Sequence, residues 1–244
     1  MKERGEIKMR GEIINEAKKF LTEYLEGKIC DYEIKHPWRR DSHFIMLHSL
    51  RVHSYTLKII KNEFYEISEE DKLIIEIAAI LHDIGKVEIK KGHAKRSSEI
   101  VSRWLNNNVH IVNKVKNVKK LLEIIEVHSA KDTKENDVCC AILKDADTLD
   151  EIGILSIFMS ANQVDIHSPF FFNELLERLK SFEVGYCEGK MLKLNTAYGR
   201  KLLKDKMKFI EMFNSQLALE LEGTSEVYEL DEDDSCEILK SYSN

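Results

Sequence analysis

The chain has 244 residues with only two prolines and ten glycines, and 43% of its residues are hydrophobic. Hairpins and tight turns consume glycine and proline, so this composition disfavours an all-β fold, and the apolar fraction excludes a disordered chain. The formal net charge is −6, but residues 222–244 carry eight acidic side chains against one lysine, which leaves +1 for residues 1–221. The body therefore lacks the basic excess of a nucleic-acid-binding protein, and we expect the acidic segment to be a solvated, mobile tail.

The cysteines and the hydropathy pattern indicate a cytoplasmic protein that does not associate with membranes. The cysteine count is odd, no C-x-x-C motif occurs, and the spacings fit no zinc site, so we expect reduced thiols. The N-terminal segment MKERGEIKMR has no apolar run of the kind found in signal peptides. The most apolar segment, Leu73–Leu81, is interrupted by Glu76 and is too short to span a bilayer.

Apolar residues recur at helical spacing through nearly the whole chain, and strand-like alternation is almost absent. A first amphipathic helix ends near Gly27, and a polar connector at 35–41 leads to a second helix over 47–60. Ser68 and Asp71 have the spacing of a capping box for a helix over Leu73–Ile84, which Gly85 would end. Further helices are predicted near residues 94–106, 111–128, 136–149, 151–163, 170–182 and 196–220. No linker rich in Gly, Pro or Ser separates them, so we predict one all-α helical bundle over 1–221 and a tail over 222–244.

The most apolar helix contradicts its own pattern at its C-terminal end. Its apolar faces place it in the protein interior, yet His82 and Asp83 occupy its last turn. A buried carboxylate costs several kcal/mol unless something compensates it. Adjacent helical residues point ~100° apart, so these two side chains are poor partners for each other, but both can bind one ion beside the helix end. Pairing of Asp83 with a lysine is the structural alternative.

Candidate ligands for such an ion lie on two other predicted helices. His48 falls in the second helix, with Arg51 three residues later on the same face. Asp147 and Asp145 fall near the end of the apolar helix 136–149. Histidines together with carboxylates form a mixed nitrogen and oxygen set that suits Mn²⁺, Fe²⁺, Ni²⁺, Zn²⁺ or Mg²⁺. Four protein ligands on a six-coordinate ion leave two positions for water or a substrate oxygen, as hydrolysis requires.

Five segments, in this order, resemble the HD superfamily of metal-dependent phosphohydrolases, which is named after its His-Asp doublet. They are HSLRV from His48, HDIGK from His82, HAKRSSEI from His93, IIEVHS ending at Ser129, and DADTLDEIG from Asp145. The segment TAYGR, which begins at Thr196, also resembles the small bacterial members. This resemblance runs along most of the chain and implies an all-α, single-domain phosphohydrolase.

The resemblance further implies that one divalent metal ion is held by His48, His82, Asp83 and Asp147. Asp147 is preferred because the last ligand of the family is commonly the aspartate of an Ala-Asp pair, and Asp145 is the alternative.

Two additional histidines, His93 and His128, have counterparts that hold a second metal in a multi-histidine branch of the superfamily. That branch usually shows a His-His doublet, whereas Ser129 follows His128 here. We therefore expect one metal ion, with these histidines behind its ligands or on the substrate phosphates.

Five side chains are candidates for acting on the substrate. Lys86 and Arg51 would stabilise the anionic transition state, with His128 as a further candidate, and His93 or Asp145 would carry a proton.

Two more histidines, His43 and His53, flank the first motif but lack its Arg-Val partner. We expect both of them to be surface or structural residues.

The predicted reaction is the attack of a metal-activated water on phosphorus. The small bacterial subgroup resembles enzymes that split nucleoside triphosphates into the monophosphate and pyrophosphate, so a nucleotide is the expected partner. A phosphatase acting on nucleoside monophosphates is the nearest alternative. A non-catalytic nucleotide-binding regulator and a protein that binds partners through the acidic tail are the others, and a homodimer is an open possibility.

Overall fold

The computed structural model describes residues 2–63, 66–131 and 135–224, with side chains from residue 8 onward. The described residues are almost entirely helical, and their only β-type pairing is an isolated bridge between Ile29 and Asp41. The all-α prediction is therefore confirmed. The α-helices are α1 (Lys2–Leu25), α2 (Ser42–Asn62), α3 (Glu69–Leu81), α4 (His93–Asn106), α5 (Val109–Val115), α6 (Val118–Val127), α7 (Val138–Asp150), α8 (Ile154–Ala161), α9 (Phe171–Arg178), α10 (Val184–Lys193) and α11 (Ala197–Glu220).

The chain divides into two compact units. The first comprises Met1–Glu151 with Leu192–Leu202, and the second comprises Ile152–Met191 with Leu203–Asn244. A single domain over 1–221 stays a prediction. Residues 225–244, which form most of the predicted acidic tail, lie outside the described residues.

Helix α3 is the centre of the first unit. Every residue from Leu73 to Leu81 is buried, and α1, α2, α6 and α7 pack around the helix. Full burial of a large aliphatic side chain stabilises the fold by about 1.5–3 kcal/mol, so this helix contributes strongly to the core. Its C-terminal end, which continues into His82 and Asp83, is consequently enclosed by the surrounding helices.

The start of α3 agrees with the sequence prediction, but its end does not. The Ser68 side chain accepts a hydrogen bond from the Asp71 amide at 3.0 Å, as a helix cap should. The helix ends at Leu81 rather than at Ile84, and a 3-10 turn follows over Ile84–Val87.

Gly85 therefore serves close packing rather than helix termination. A β-carbon at this position would lie 2.7 Å from both the His93 carbonyl oxygen and the Ser97 amide nitrogen. Only glycine lets the first turn of α4 approach the turn after α3 this closely.

Two other helix predictions need correction. The predicted helix over 111–128 is two helices, because Lys116 adopts a φ of 48° and the Asn117 side chain caps α6 by accepting from the Lys120 amide. Local capping outweighs continuous apolar periodicity at this point. Helix α10 was missed, since the prediction ended near residue 182, where a π-helical turn over Leu179–Glu183 joins α9 to α10.

The described helices include none that is long and apolar enough to cross a membrane. The cysteines among the described residues, Cys30, Cys139, Cys140 and Cys187, are all buried free thiols. Cys236 lies outside the described residues.

Glu76, the acidic residue in the apolar α3 run, is buried because two basic side chains meet it. Arg10 Nε lies 2.5 Å from Glu76 Oε1, and His53 Nε2 lies 2.9 Å from Oε2. Burial alone would raise the pKa of Glu76, but His53 and Arg10 outweigh it and lower that pKa below 4.5. His53 is thus a buried structural residue, whereas His43 is exposed beside Asp41.

This pairing predicts a pH-dependent loss of stability in Glu76→Gln. At pH 7 the substitution should lower the free energy of unfolding by about 1–3 kcal/mol, because a charged partner of two buried groups is lost. Since the folded-state pKa is lowered, the ionised pair stabilises the fold above the unfolded-state pKa and ceases to do so as pH falls through the folded-state value. Urea unfolding at pH 7 and pH 3.5 should show the difference from wild type shrinking.

The matched control is Glu69→Gln, which removes an exposed carboxylate that also contacts Arg10. This substitution should lower the free energy of unfolding by less than about 1 kcal/mol. Equal losses in both variants, or a Glu76→Gln difference that is the same at both pH values, would contradict the account.

Candidate metal centre

Three helices bring the four predicted ligands to one place inside the first unit. His48 lies on α2, His82 and Asp83 follow the end of α3, and Asp147 lies on the last turns of α7. All four side chains are at most 5% exposed. Helices α2 and α7 both pack on α3, and this packing turns their histidine and aspartate toward its C-terminal end.

The ligand atoms of this inner set, His48, His82, Asp83 and Asp147, are in mutual contact. His48 Nε2 lies 3.1 Å from Asp83 Oδ2, 3.3 Å from Asp147 Oδ1 and 3.2 Å from His82 Nε2. His82 Nε2 lies 3.5 Å from Asp83 Oδ2 and 3.9 Å from Asp147 Oδ1. Two imidazole nitrogens and two carboxylate oxygens therefore converge on one point.

An outer pair, His93 and His128, faces the other oxygen of Asp83. The Nε2 atoms of both histidines lie 3.2 Å from Asp83 Oδ1. His128 is buried, and the His93 side chain is 15% exposed. Asp83 is thus shared between the inner set and the outer pair, one oxygen to each.

The hydrogen bonds on the far side of each ring determine which nitrogen can bind a cation. The Nδ1 atoms of His82, His93 and His128 lie 2.6–2.9 Å from the carbonyl oxygens of Ala79, Lys90 and Ile125, respectively. A carbonyl oxygen only accepts, so each Nδ1 donates, and the neutral ring presents its Nε2 lone pair to Asp83. Metal-binding histidines are held in this way.

His48 is oriented by a carboxylate that the sequence analysis did not single out. Its Nδ1 donates to Asp150 Oδ2 at 2.8 Å, and Arg51 makes two further hydrogen bonds to Asp150 at 2.7 and 2.9 Å. Arg51 is therefore linked to His48 through Asp150, and its expected role on the substrate stays a prediction. Asp150 lies three residues after Asp147 on α7, so helical spacing was the available signal.

Two lysines balance the buried negative charge. Lys86 Nζ lies 2.5 Å from Asp83 Oδ2, and Lys131 Nζ lies 2.7 Å from Asp147 Oδ2. Lys86 thus lies where the sequence placed it, next to the inner set. Lys131 was missed, because it follows α6 in a segment without helical periodicity and only the fold brings it to α7.

The pKa values of the cluster residues follow from the same balance between burial and neighbouring charges. Burial alone would raise the pKa values of Asp83 and Asp147, but nearby cations, led by Lys86 and Lys131, respectively, hold both well below the usual range. Burial lowers the pKa of His82 to about 3. Burial would also lower the pKa of His48, but the three carboxylates that it contacts raise it well above its usual value.

Asp145 is not brought to the cluster. Its Oδ1 and Oδ2 atoms accept hydrogen bonds at 2.7–3.0 Å from the amides of Asn195 and Thr196 and from both of their side chains. The carboxylate anchors the segment that precedes α11, and it is fully occupied there. This geometry does not favour the roles expected for Asp145, as a proton carrier or as the alternative ligand, and both stay predictions.

A cavity of about 300 Å³ opens beside the inner set. His48, Asp83 and Lys86 form the part of its wall nearest the cluster. The rest of the lining combines apolar side chains with basic ones, and comprises Tyr32, Ile34, Lys35, His36, Arg39, Phe44, Ile45, Lys90 and Glu151. A ligand in this cavity would lie in direct reach of the candidate metal ligands.

The residues present fit a divalent metal ion. Three overlapping groups of ligand atoms each lie within 4.8 Å of one another: His48, His82 and Asp83; His82, His128 and Asp147; and Asp83, His93 and His128. Asp147 Oδ1 is buried without a hydrogen bond, and Asp83 Oδ2 has an ion pair with Lys86 but no well-directed hydrogen bond. Buried carboxylate oxygens in this state are suited to a cation placed between them and the Nε2 lone pairs.

Comparison with known proteins places this site in a family. Residues 45–152 match the family described as the HD domain. No curated protein matches the chain.

Solved structures share the fold. A predicted HD superfamily hydrolase from an uncultured Thermotogales bacterium is 20% identical, with a TM-score of 0.55 over 84% of this chain and 91% of its own. An HD-superfamily hydrolase from Bacillus thuringiensis is 21% identical, with a TM-score of 0.58 over 88% and 99%. Bacillus subtilis YpgQ in complex with ADP is 18% identical, with a TM-score of 0.57 over 88% and 97%.

The matched range contains the whole candidate centre, from His48 to Asp150, and the neighbours extend the likeness over most of the chain. Residues 45–152 therefore match the HD domain, and over most of the chain the solved structures share the fold.

Proposed function

We propose that this protein is a divalent-metal-dependent phosphohydrolase that acts on nucleotides. The observation that carries the proposal is the environment of the buried Asp83 carboxylate. The Nε2 atoms of two histidines lie near each of its two oxygens. A bound divalent ion would supply Lewis acidity, which lowers the pKa of a bound water and neutralises charge on phosphoryl oxygens.

The side chains of this chain would position and stabilise the reacting groups. His48, His82, Asp83 and Asp147 would hold the ion, and Arg51 would keep His48 oriented through Asp150. Lys86 lines the cavity, so its ammonium group is placed to stabilise negative charge on a phosphate.

Lys131 forms an ion pair with Asp147, the other carboxylate of the inner set, and adds a second positive charge to the same site. His93, the more exposed member of the outer pair, would carry a proton only while no ion occupies that pair.

The nucleotide assignment rests on two supports. The cavity joins a basic surface to an apolar wall, which matches a ligand with both phosphate and a hydrophobic ring. The Bacillus subtilis neighbour was crystallised with ADP.

Several finer assignments accompany this proposal. Its most specific form is cleavage of a nucleoside triphosphate to the monophosphate and pyrophosphate, with Mn²⁺ as a candidate ion. A nucleoside monophosphate phosphatase and a non-catalytic nucleotide-binding module are the alternatives. A cytoplasmic location and a homodimer stay predictions from the sequence.

The number of ions is a separate point. From the sequence we expected one metal ion, with His93 and His128 behind its ligands. The Nε2 atoms of both histidines approach the second oxygen of Asp83, so His93, His128 and Asp83 would together hold a second ion. We therefore propose one ion at the inner set and a weaker one at the outer pair, where only three protein ligands are available.

His82→Ala and Asp83→Ala should each abolish retention of the inner ion, because each removes a buried ligand. Both variants should remain helical, and elemental analysis after dialysis should find at least about one equivalent less metal than in the wild type. His43→Ala is the control, because His43 is exposed and contacts Asp41 rather than a residue of the cluster. This variant should keep the wild-type metal content. Wild-type metal content in either cluster variant would refute the ligand assignment.

Titration with Mn²⁺ should show two binding events in the wild type and one in His128→Ala. The second event should be the weaker, since the outer pair has fewer ligands. Isothermal calorimetry measures both numbers. A single equivalent in both proteins would restore the one-ion assignment and leave His128 to contact the phosphates.

A screen for release of phosphate and pyrophosphate from nucleotides, with added Mn²⁺ or Mg²⁺, should detect turnover. Lys86→Met should reduce kcat by about 10²–10³-fold, as does the loss of one donor that stabilises a transition-state charge. Pyrophosphate release indicates the triphosphate reaction, and phosphate release from monophosphates indicates the phosphatase. No turnover of any nucleotide with full metal content would favour the non-catalytic module.

A further inference from the structure

The connector between α1 and α2, residues 26–41, forms one wall of the cavity. Tyr32, Ile34 and His36 line it and are half-buried, while Asp31 and Glu33 are exposed. Exposed and half-buried side chains thus alternate over residues 31–36, as in extended backbone, and the exposed Lys35 also borders the cavity. The connector precedes residues 45–152, so this wall is supplied from outside the HD domain.

The wall is fastened to the turn that carries Lys86. The Tyr32 hydroxyl donates to the Lys86 carbonyl oxygen at 2.7 Å, and Lys90 Nζ donates to the Glu33 carbonyl oxygen at 3.3 Å. The Cys30 amide donates to the Arg40 carbonyl oxygen at 2.9 Å and closes the base of the connector. A wall held in this way is preorganised, so a ligand does not have to order it on binding.

One part of the wall offers no favourable contact to a ligand made only of phosphate. Tyr32 and Ile34 of the connector face the cavity together with Phe44 and Ile45 of α2, and these four side chains form an apolar surface. Inorganic phosphates gain nothing from such a surface, whereas a flat ring buries area against it and stacks on the aromatic faces. The basic side chain of Lys86 lies at the end of the cavity next to Asp83, which orients the ligand with its phosphate toward the ligand cluster.

We propose that Tyr32, Ile34 and Phe44 are specificity-determining residues, which receive the ring of a phosphorylated substrate while its phosphates lie at Lys86. This inference rests on the proposed function, because it assigns the organic part of the same substrate. It places substrate choice in the connector and in the first turn of α2, and it leaves the metal ligands to perform the chemistry.

The test compares Ile34→Ala and Phe44→Leu with the wild type by calorimetry in the presence of Mg²⁺. The probes are the diphosphates of adenosine, guanosine, cytidine and uridine, with inorganic pyrophosphate as the ring-free counterpart. Each variant should bind the best nucleoside diphosphate at least about tenfold more weakly, which is the effect of removing methylenes from an apolar pocket. Its affinity for pyrophosphate should change less than about twofold.

The matched control is Asp31→Ala, which alters an exposed side chain of the same connector and should leave both affinities unchanged. Equal weakening of nucleotide and pyrophosphate in both wall variants would show a structural role and overturn the inference, as would no weakening of either. Failure of the wild type to bind any of the four diphosphates would overturn it too. Because these are binding measurements, a protein that binds nucleotides through this wall without hydrolysing them would refute only the proposed function.

Discussion

The burial of the Asp83 carboxylate at the end of α3 is the constraint on which the rest of the site depends. The side chain is fully buried, so both of its oxygens need cationic or hydrogen-bonding neighbours. Those neighbours come from α2, from α4, from the C-terminal caps of α3 and α6, and from the turn after α3: His48, His93, His82, His128 and Lys86. Because the buried Asp83 carboxylate is unstable without these partners, the packing of the helices and the chemistry of the site depend on each other.

A second layer of contacts keeps that arrangement in place. His82 and His128 donate to the carbonyl oxygens of Ala79 and Ile125 in the last turns of the helices that they follow. Because helix-end carbonyls lack intrahelical partners, these two bonds satisfy groups that the helices would otherwise leave free. His93 donates to the Lys90 carbonyl oxygen before α4, and His48 donates to Asp150. The connector is joined to the same region through Tyr32, so the cavity wall and the ligand cluster share one rigid frame.

Most of the scaffold could be read from helical periodicity, since burial of one face per helix is a local property of the sequence. The prediction from periodicity was wrong where local and tertiary effects compete. Asn117 divides a predicted helix by capping, and Gly85 serves the approach of α4 rather than the end of α3. Asp145 and Asp147 are two residues apart on one helix, so their neighbours decide their roles: Thr196 meets the first, and His48 meets the second.

The sequence by itself determined the helical class, the enclosed position of α3 and the candidate ligands His48, His82, Asp83 and Asp147, because these follow from apolar spacing and from ordered motifs. Only the tertiary structure decided that Lys131 pairs with Asp147, that Asp150 orients His48, and that His93 and His128 share one oxygen of Asp83. The physical reason is distance along the chain. His48 and Asp150 are about a hundred residues apart, and no local pattern encodes which of several buried charges will meet when the helices pack.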